Sequence, residues 1–450
     1  MTATATGASA RDVLGALRQR KVRFLLLQFT DLLGVNKAVE VPATHFERAL
    51  AAETSFDGSA LEGFARVEEA DALLAPDLDT FQVLPPATGT NGEGAVARLI
   101  CDIRYPDGRP FEGCPRTALK RHITAAEELG FTAQFGCEVE FFLFERGPEG
   151  QATTRSLDTA GYFDLVPVDR GEQARRAVVA ALEEMQLVAE ASHHEVAPGQ
   201  HEIDLRPTDP LTTADNIATL RYVVRSVALQ HGLVATFMPK PRHGVNGSGM
   251  HTHQTLLAHG HNAFHDPRGA LQLSDTGRWY VGGLLRHALG YCAVTNPLVN
   301  SYKRFVTGFE APVNVSWSTE NVSPLIRVPA QRDDATRCEN RLPDPSANPY
   351  LALAVQLAAG LDGIRSRIDP GEPVNKNISR MSYRERRRYR IDELPRDLHE
   401  ALDYLEKDDV IRAALGDHIY ERFVEAKREE YQEYVGRVSH WEIERYLGQY

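Results

Sequence analysis

The chain has 450 residues, of which 42% are hydrophobic and 25% charged, with a formal net charge of −12 and a pI near 5.8. This acidic balance argues against nucleic acid or an anionic membrane as a general partner. The sequence has no run of about 18 apolar residues and no signal-peptide core, and its five cysteines have no regular spacing, so we expect a cytoplasmic protein of two or three domains with reduced thiols.

The first hundred residues read as a small strand-rich module. Val22 to Asp31 and Asn36 to Pro42 flank a glycine-containing turn, Leu32 to Val35, which predicts a hairpin. Tyr105 to Arg116 is dense in proline and glycine, which places a domain boundary there. Beyond it, helices and strands alternate. Leu119, Ile123 and Ala126 follow helical spacing with Gly130 as a stop, and Val178, Leu182 and Met185 repeat the pattern. Asn348 and Pro349 supply the N-cap and first position of a further helix. The basic run Tyr383 to Arg390 reads as a solvated helix or loop.

Four segments carry chemistry. In FGCEVEFFLF (Phe135 to Phe144), Glu138 and Glu140 share one face of an otherwise apolar strand. HHEVAPGQHEIDL (His193 to Leu205) adds Glu195 and Glu202, the latter in a strand-like run. KPRHGVNGSGMHTHQTL (Lys240 to Leu256) puts His251 and His253 on one strand face. Before them, Gly244, Gly247 and Gly249 let backbone N–H groups approach an anion or amino acid. RCENRLPDP (Arg337 to Pro345) places Glu339 and Arg341 on one face. Taken singly, each pair also reads as the solvated face of a strand. Together, five glutamates and one histidine on apolar strands are costly to bury without cations, and they match the needs of two hard divalent ions.

With FDGSALEGFARVEEAD (Phe56 to Asp71), GYFD (Gly161 to Asp164), NSYKRFVTGFEAPV (Asn300 to Val313) and NRLPDPSANPYLALA (Asn340 to Ala354), these segments form an ordered set. In this the chain resembles glutamine synthetase of the bacterial class I type, and within it the unadenylylated subclass. The resemblance implies an α+β fold with an N-terminal β-grasp domain over residues 1–107. A catalytic domain would follow over 108–450, with a curved antiparallel sheet flanked by helices. It further implies a dodecamer whose active sites lie between adjacent subunits.

The activity so implied is ATP-dependent joining of ammonia to the γ-carboxyl of glutamate through a γ-glutamyl phosphate, with two or more Mg²⁺ or Mn²⁺ ions per site. Glu140, Glu195 and Glu202 would hold one ion, and Glu138, His251 and Glu339 the other. Arg304 would grip the α-carboxylate of glutamate, Asn246 and Gly247 its amino group, and Arg341 the reacting carboxylate. Glu190, His253, Thr255, Arg327 and Arg337 match nucleotide contacts, Arg327 also acting on the transferred phosphoryl group. Asp57 of a neighbouring subunit would accept a proton from ammonium, which Tyr162 helps to hold, and Glu310 on a flap would close over the intermediate.

Three departures from the family pattern stand out. Val322 replaces an arginine that normally lies on the phosphates, Ala60 replaces a serine in the ammonium pocket, and Lys376 to Ser379 lacks the modified tyrosine of the adenylylation motif. Arg66 matches a feedback-inhibition arginine of the unadenylylated subclass. Ala60 opens the alternative of a γ-glutamyl-amide ligase using a polyamine, methylamine or ethanolamine. Val322 opens that of a non-catalytic paralogue.

Overall fold

The computed structural model of the chain describes residues 7–60, 71–88, 94–306, 308, 310–321, 323–376, 378–389 and 391–450. Val322 and Arg66 lie outside the described residues, as does the side chain of Ala60.

The N-terminal sheet comprises β1 (Val22–Thr30), β2 (Asn36–Pro42), β3 (Thr54–Asp57), β4 (Asp71–Val83) and β5 (Ala95–Arg104), in the order β2-β1-β5-β4-β3. The expected hairpin is β1–β2, antiparallel, and β5 lies parallel to β1 on its other side. Helices α1 (Ala10–Gln19) and α2 (Phe46–Leu50) bury Val13, Leu17, Phe46 and Leu50 against this sheet.

The second sheet has, among the described residues, nine strands. These are β6 (Thr132–Glu145), β7 (Ala189–His194), β8 (Gln200–Thr208), β9 (Leu233–Thr236), β10 (Met250–Ala258) and β11 (His261–Asn262), then β13 (Trp317–Ser318), β14 (Ile326–Arg327) and β15 (Cys338–Asn340). Between them β12 (Asn314–Val315) pairs with β16 (Asp392–Glu393). The main path runs β13-β14-β15-β10-β6-β8-β7. It is antiparallel as expected except for β13–β14, which is parallel.

One face of this sheet is apolar. Cys137, Val139, Phe141 and Leu143 of β6 and Ile203 and Leu205 of β8 pack with α4 (Glu172–Glu184) and α5 (Pro210–Gln230). The alternate residues of the same strands therefore face the other way, where the acidic side chains lie.

The two sheets do not have separate cores. Residues of β1, β5, α3 (Pro115–Glu128) and α8 (Pro349–Ser366) belong to one buried cluster. The hairpin turn docks on the start of α8: Asn348 caps the helix through Tyr350 and Leu351, and its Nδ2 donates to the carbonyls of Asp31 and Leu32. Gly34 has φ +84°, and a Cβ there would lie 2.9 Å from the Cα of Asn348. Arg116 adds an ionic tie, donating to Asp77, Asp102 and Asp215 at 2.7–3.0 Å. All five cysteines are buried and unpaired, the basic helix Tyr383–Arg388 buries no residue, and no helix among the described residues is long and apolar enough to cross a membrane.

Between α6 (Asp275–Arg286) and α7 (Ala288–Thr295), His287 bridges two carboxylates. Its Nδ1 donates to Asp408 at 2.8 Å and its Nε2 to Asp362 at 3.0 Å, so the ring is an imidazolium. Burial alone would lower its pKa, but the two aspartates outweigh burial and raise it. Stability from a raised histidine is fully present below the unfolded value of about 6.5 and is lost as pH rises through the folded value. We therefore expect His287→Gln to lower the melting temperature markedly at pH 6 and much less at pH 9. An equal loss at both pH values would mean that the ring is neutral in the fold.

Candidate active site

Strand register sets the acidic and imidazole side chains in rows. Across β10 and β6 His251 lies opposite Glu138, and across β6 and β8 Glu140 lies opposite Glu202 and Glu138 opposite Asp204. His193 on β7 lies opposite Glu202, while Glu339 on β15 is flanked by His253 and Arg327. Directly opposed residues share a sheet face, so the four separate sequence segments converge on one cavity of about 700 Å³.

Two groups of ligand-type atoms form within it. In the first, Glu138 accepts from Nδ1 of His251 at 2.9 Å and from Nε2 of His253 at 2.6 Å. Arg337 Nε donates to Nδ1 of His253 at 3.2 Å, so the proton of His253 sits on Nε2. The proton of His251 sits on Nδ1, which leaves its Nε2 lone pair buried, without a partner, and 3.8 Å from Glu140. Glu339, 1% exposed, accepts from Arg327 at 2.9 Å and Arg341 at 2.5 Å and lies 3.8 Å from His251. Burial would raise the pKa of Glu138 and of Glu339, but the two histidines lower the first and Arg341 the second, so both are carboxylates. Burial, reinforced by Arg341, pushes the His251 pKa down and keeps the ring neutral.

The second group is His193, Glu195 and Glu202, whose ligand atoms lie within 4.8 Å of one another. Glu140, expected with the two glutamates, stands between the groups, its Oε2 accepting from Gln200 at 2.7 Å. Burial and mutual repulsion raise the pKa of Glu140, of Glu195 and of Glu202, the last to about 10. Asp204 is raised by burial and by Glu138, and its Oδ1 has no hydrogen-bond partner.

The donor set fits divalent cations. Seven carboxyl groups and three arginines line the cavity; bound cations would displace the protons that burial favours, and with all seven ionised the excess of four negative charges is what two divalent ions would balance. Carboxylate oxygens are suitable ligands for Mg²⁺ or Mn²⁺, and the bare imidazole nitrogen of His251 offers a further donor to the second of these.

Arg304, 2% exposed, lines the same cavity, with Nη1 donating to the carbonyl of Leu342 and Nη2 to that of Arg341. A Cβ on Gly249 would lie 2.7 Å from Nη2 of Arg304, 2.8 Å from Nε2 of His251 and 3.1 Å from Glu140. A Cβ on Gly247 would meet the carbonyl of Pro239 at 2.4 Å. These two glycines are thus required for the close approach of protein groups. Asn246, Gly247, Tyr162 and Glu310 also line the cavity. Tyr162 stacks on Phe163 at 3.9 Å, and partial desolvation together with Glu195 pushes its hydroxyl up to about 12. Glu310, at φ +46°, borders this cavity and a second one of about 850 Å³ behind it.

A third cavity, about 460 Å³, is lined by Glu190, His253, Thr255 and Arg337, and shares Glu138 and Asp204 with the acidic one. Arg327 lies on the acidic side of that junction. Asp57, at the end of β3, lines neither the acidic cavity nor this one; it accepts from the backbone and hydroxyl of Ser59. The sequence reading omitted His193, Asp204 and Gln200. The first two carry the same signal that exposed the others, a polar residue two positions from a predicted ligand.

Comparison with known proteins agrees with this geometry. The family profile described as glutamine synthetase, catalytic domain, matches residues 112–446, and that described as glutamine synthetase, beta-Grasp domain, matches 21–106. Among curated relatives, a glutamine synthetase of Thermus thermophilus is 56% identical over 445 residues, covering 99% of this chain and 100% of that protein. One of Methanosarcina mazei is 51% identical over 97% of both chains. Among solved structures, GmaS in complex with ADP superposes with a TM-score of 0.88 at 35% identity, covering 97% of this chain and 99% of that one. Plasmodium falciparum glutamine synthetase, at 24% identity and a TM-score of 0.86 over 98% and 99% of the two chains, shares the fold.

Proposed function

The chain belongs to the glutamine synthetase family, of the bacterial class I type, and is an ATP-dependent glutamate–ammonia ligase; we propose that the acidic cavity is where it acts, with the residue roles that follow. The observation that carries this reading is the junction at Glu138 and Asp204, where a nucleotide-sized cavity opens into one crowded with carboxylates. Residues 1–107 would form the β-grasp domain and 108–450 the catalytic domain, a division supported by the profile limits at 106 and 112.

A carboxylate resists attack by an amine until ATP has converted it to an acyl phosphate, and phosphoryl transfer depends on positioning and charge neutralisation. Glu140, Glu195 and Glu202 would hold one divalent ion and Glu138, His251 and Glu339 the other. Such ions, Mg²⁺ or Mn²⁺, neutralise phosphate charge and orient the reacting oxygens.

Glu190, His253, Thr255 and Arg337 would bind the nucleotide. Arg327 would approach the transferred group from the other side of Glu138. Arg304 is held rigid by two backbone carbonyls, yet each terminal nitrogen keeps a second N–H for the α-carboxylate of glutamate. Asn246 and Gly247 would take the amino group, and Arg341 the carboxylate that is phosphorylated. Asp57 would serve a neighbour's cavity in a ring-shaped homo-oligomer, a dodecamer by resemblance. Together with Tyr162 it would hold ammonium and remove its proton. Glu310 would close the cavity against water and take the next proton.

The test is glutamate- and ATP-dependent phosphate release with ammonium, methylamine, ethanolamine and a polyamine. Ammonium is expected to give the fastest turnover. Faster release with an organic amine would transfer the assignment to the amide-ligase reading suggested by Ala60. No release with any of them would leave the non-catalytic reading suggested by Val322.

A further inference from the structure

His193 is fixed in the acidic cavity from three sides. Its ring meets Phe163 edge-on at 4.8 Å and Tyr162 at 5.4 Å, and its Nδ1 lies 3.2 Å from the carbonyl of His194. A carbonyl only accepts, so Nδ1 carries the proton and, in the neutral ring, Nε2 is a bare lone pair. That lone pair points at Oε1 of Glu202, 3.1 Å away, with Oε1 of Glu195 3.8 Å from the ring's other nitrogen. Two acceptors at 3.1 Å repel each other unless a proton or a cation lies between them. Within a site of seven carboxylates, a divalent cation displaces that proton, and the lone pair then faces a metal.

Resting on the metal-dependent reading above, we propose that His193 is itself a ligand, through Nε2, of the cation held by Glu195 and Glu202. Each of the two cation positions then has one imidazole, His193 in one and His251 in the other. A nitrogen ligand disfavours Mg²⁺, which prefers an all-oxygen shell, and favours Mn²⁺. The backbone bond from Nδ1 and the two aromatic rings set the orientation of the imidazole, a function that outer contacts of metal-bound histidines commonly perform.

The experiment uses the full-length assembled protein with Mn²⁺ alone as the probe. Pulsed electron paramagnetic resonance is recorded on His251→Gln, which removes the other imidazole, and on the same variant carrying His193→Gln. Directly bound nitrogen is expected in the first and not in the second, with Mn²⁺ affinity in the double variant weakened about tenfold or more. Should the double variant fail to assemble, His193→Asn replaces His193→Gln. Bound Mn²⁺ without nitrogen coupling in His251→Gln, or coupling that survives loss of His193, overturns the proposal. Absence of any Mn²⁺ binding to the unaltered protein is a distinct outcome, which would overturn the metal-dependent site as a whole.

Discussion

Replacing Glu339 by alanine is expected to abolish phosphate release. Its carboxylate is ionised and 1% exposed, it receives hydrogen bonds from Arg327 and Arg341, and it lies 3.8 Å from His251. It therefore positions two cationic side chains and, in the role proposed above, would also offer oxygen to a divalent ion. Removing charge stabilisation of this kind is worth several kcal/mol of the barrier, about 10³-fold in rate or more. The change also leaves the largely enclosed Arg341 without its partner, a loss of up to about 3 kcal/mol in stability. Glu339→Gln separates the two effects, since it keeps the volume and one carbonyl acceptor while removing the charge. Phosphate release, melting temperature and assembly are measured on both variants. Near-normal turnover in folded Glu339→Gln would remove Glu339 from the site.

Much of this site was legible because strands write their geometry into sequence at a period of two. Glu138 with Glu140, His251 with His253, and Glu339 with Arg341 each announced a common face; the first and last pairs line the acidic cavity together, and the two histidines both bond to Glu138. The same period places Asp204 beside Glu202 and His193 beside Glu195, yet an isolated Asp or His on a strand reads as well as a solvated residue. What distinguishes them is register across β7, β8 and β6, which is a tertiary property.

The glycines show the same limit. Sequence identifies where a Cβ is missing and says nothing of what occupies the space, which at Gly249 is Arg304 from more than fifty positions away in the chain. The single core shared by β1, β5, α3 and α8 was likewise hidden, since each element shows only its own apolar stripe. The parallel β13–β14 pair is two residues long on each side, too short to carry a period.

Activity is expected to reappear when two inactive variants are mixed. Asp57 ends β3 with its carboxylate bonded to Ser59 and lines neither the acidic cavity nor the nucleotide-sized one of its own chain. If it deprotonates ammonium, it does so in a neighbour's cavity, and each site needs Asp57 from one subunit and Glu339 from the next. Asp57→Ala and Glu339→Ala homo-oligomers are each expected to be inactive. After dissociation, mixing in equal amounts and reassembly, the Glu339-bearing cavity of an Asp57→Ala subunit can adjoin an intact Asp57 supplied by a Glu339→Ala subunit. In a closed ring with random order this happens at about one site in four, so recovery of roughly a quarter of normal turnover is expected. Glutamine formation is the measurement, and mixed assembly is verified by separately tagging the two variants and purifying through both tags. Doubly tagged oligomers without activity would mean that each site is completed within one chain and that Asp57 has another role.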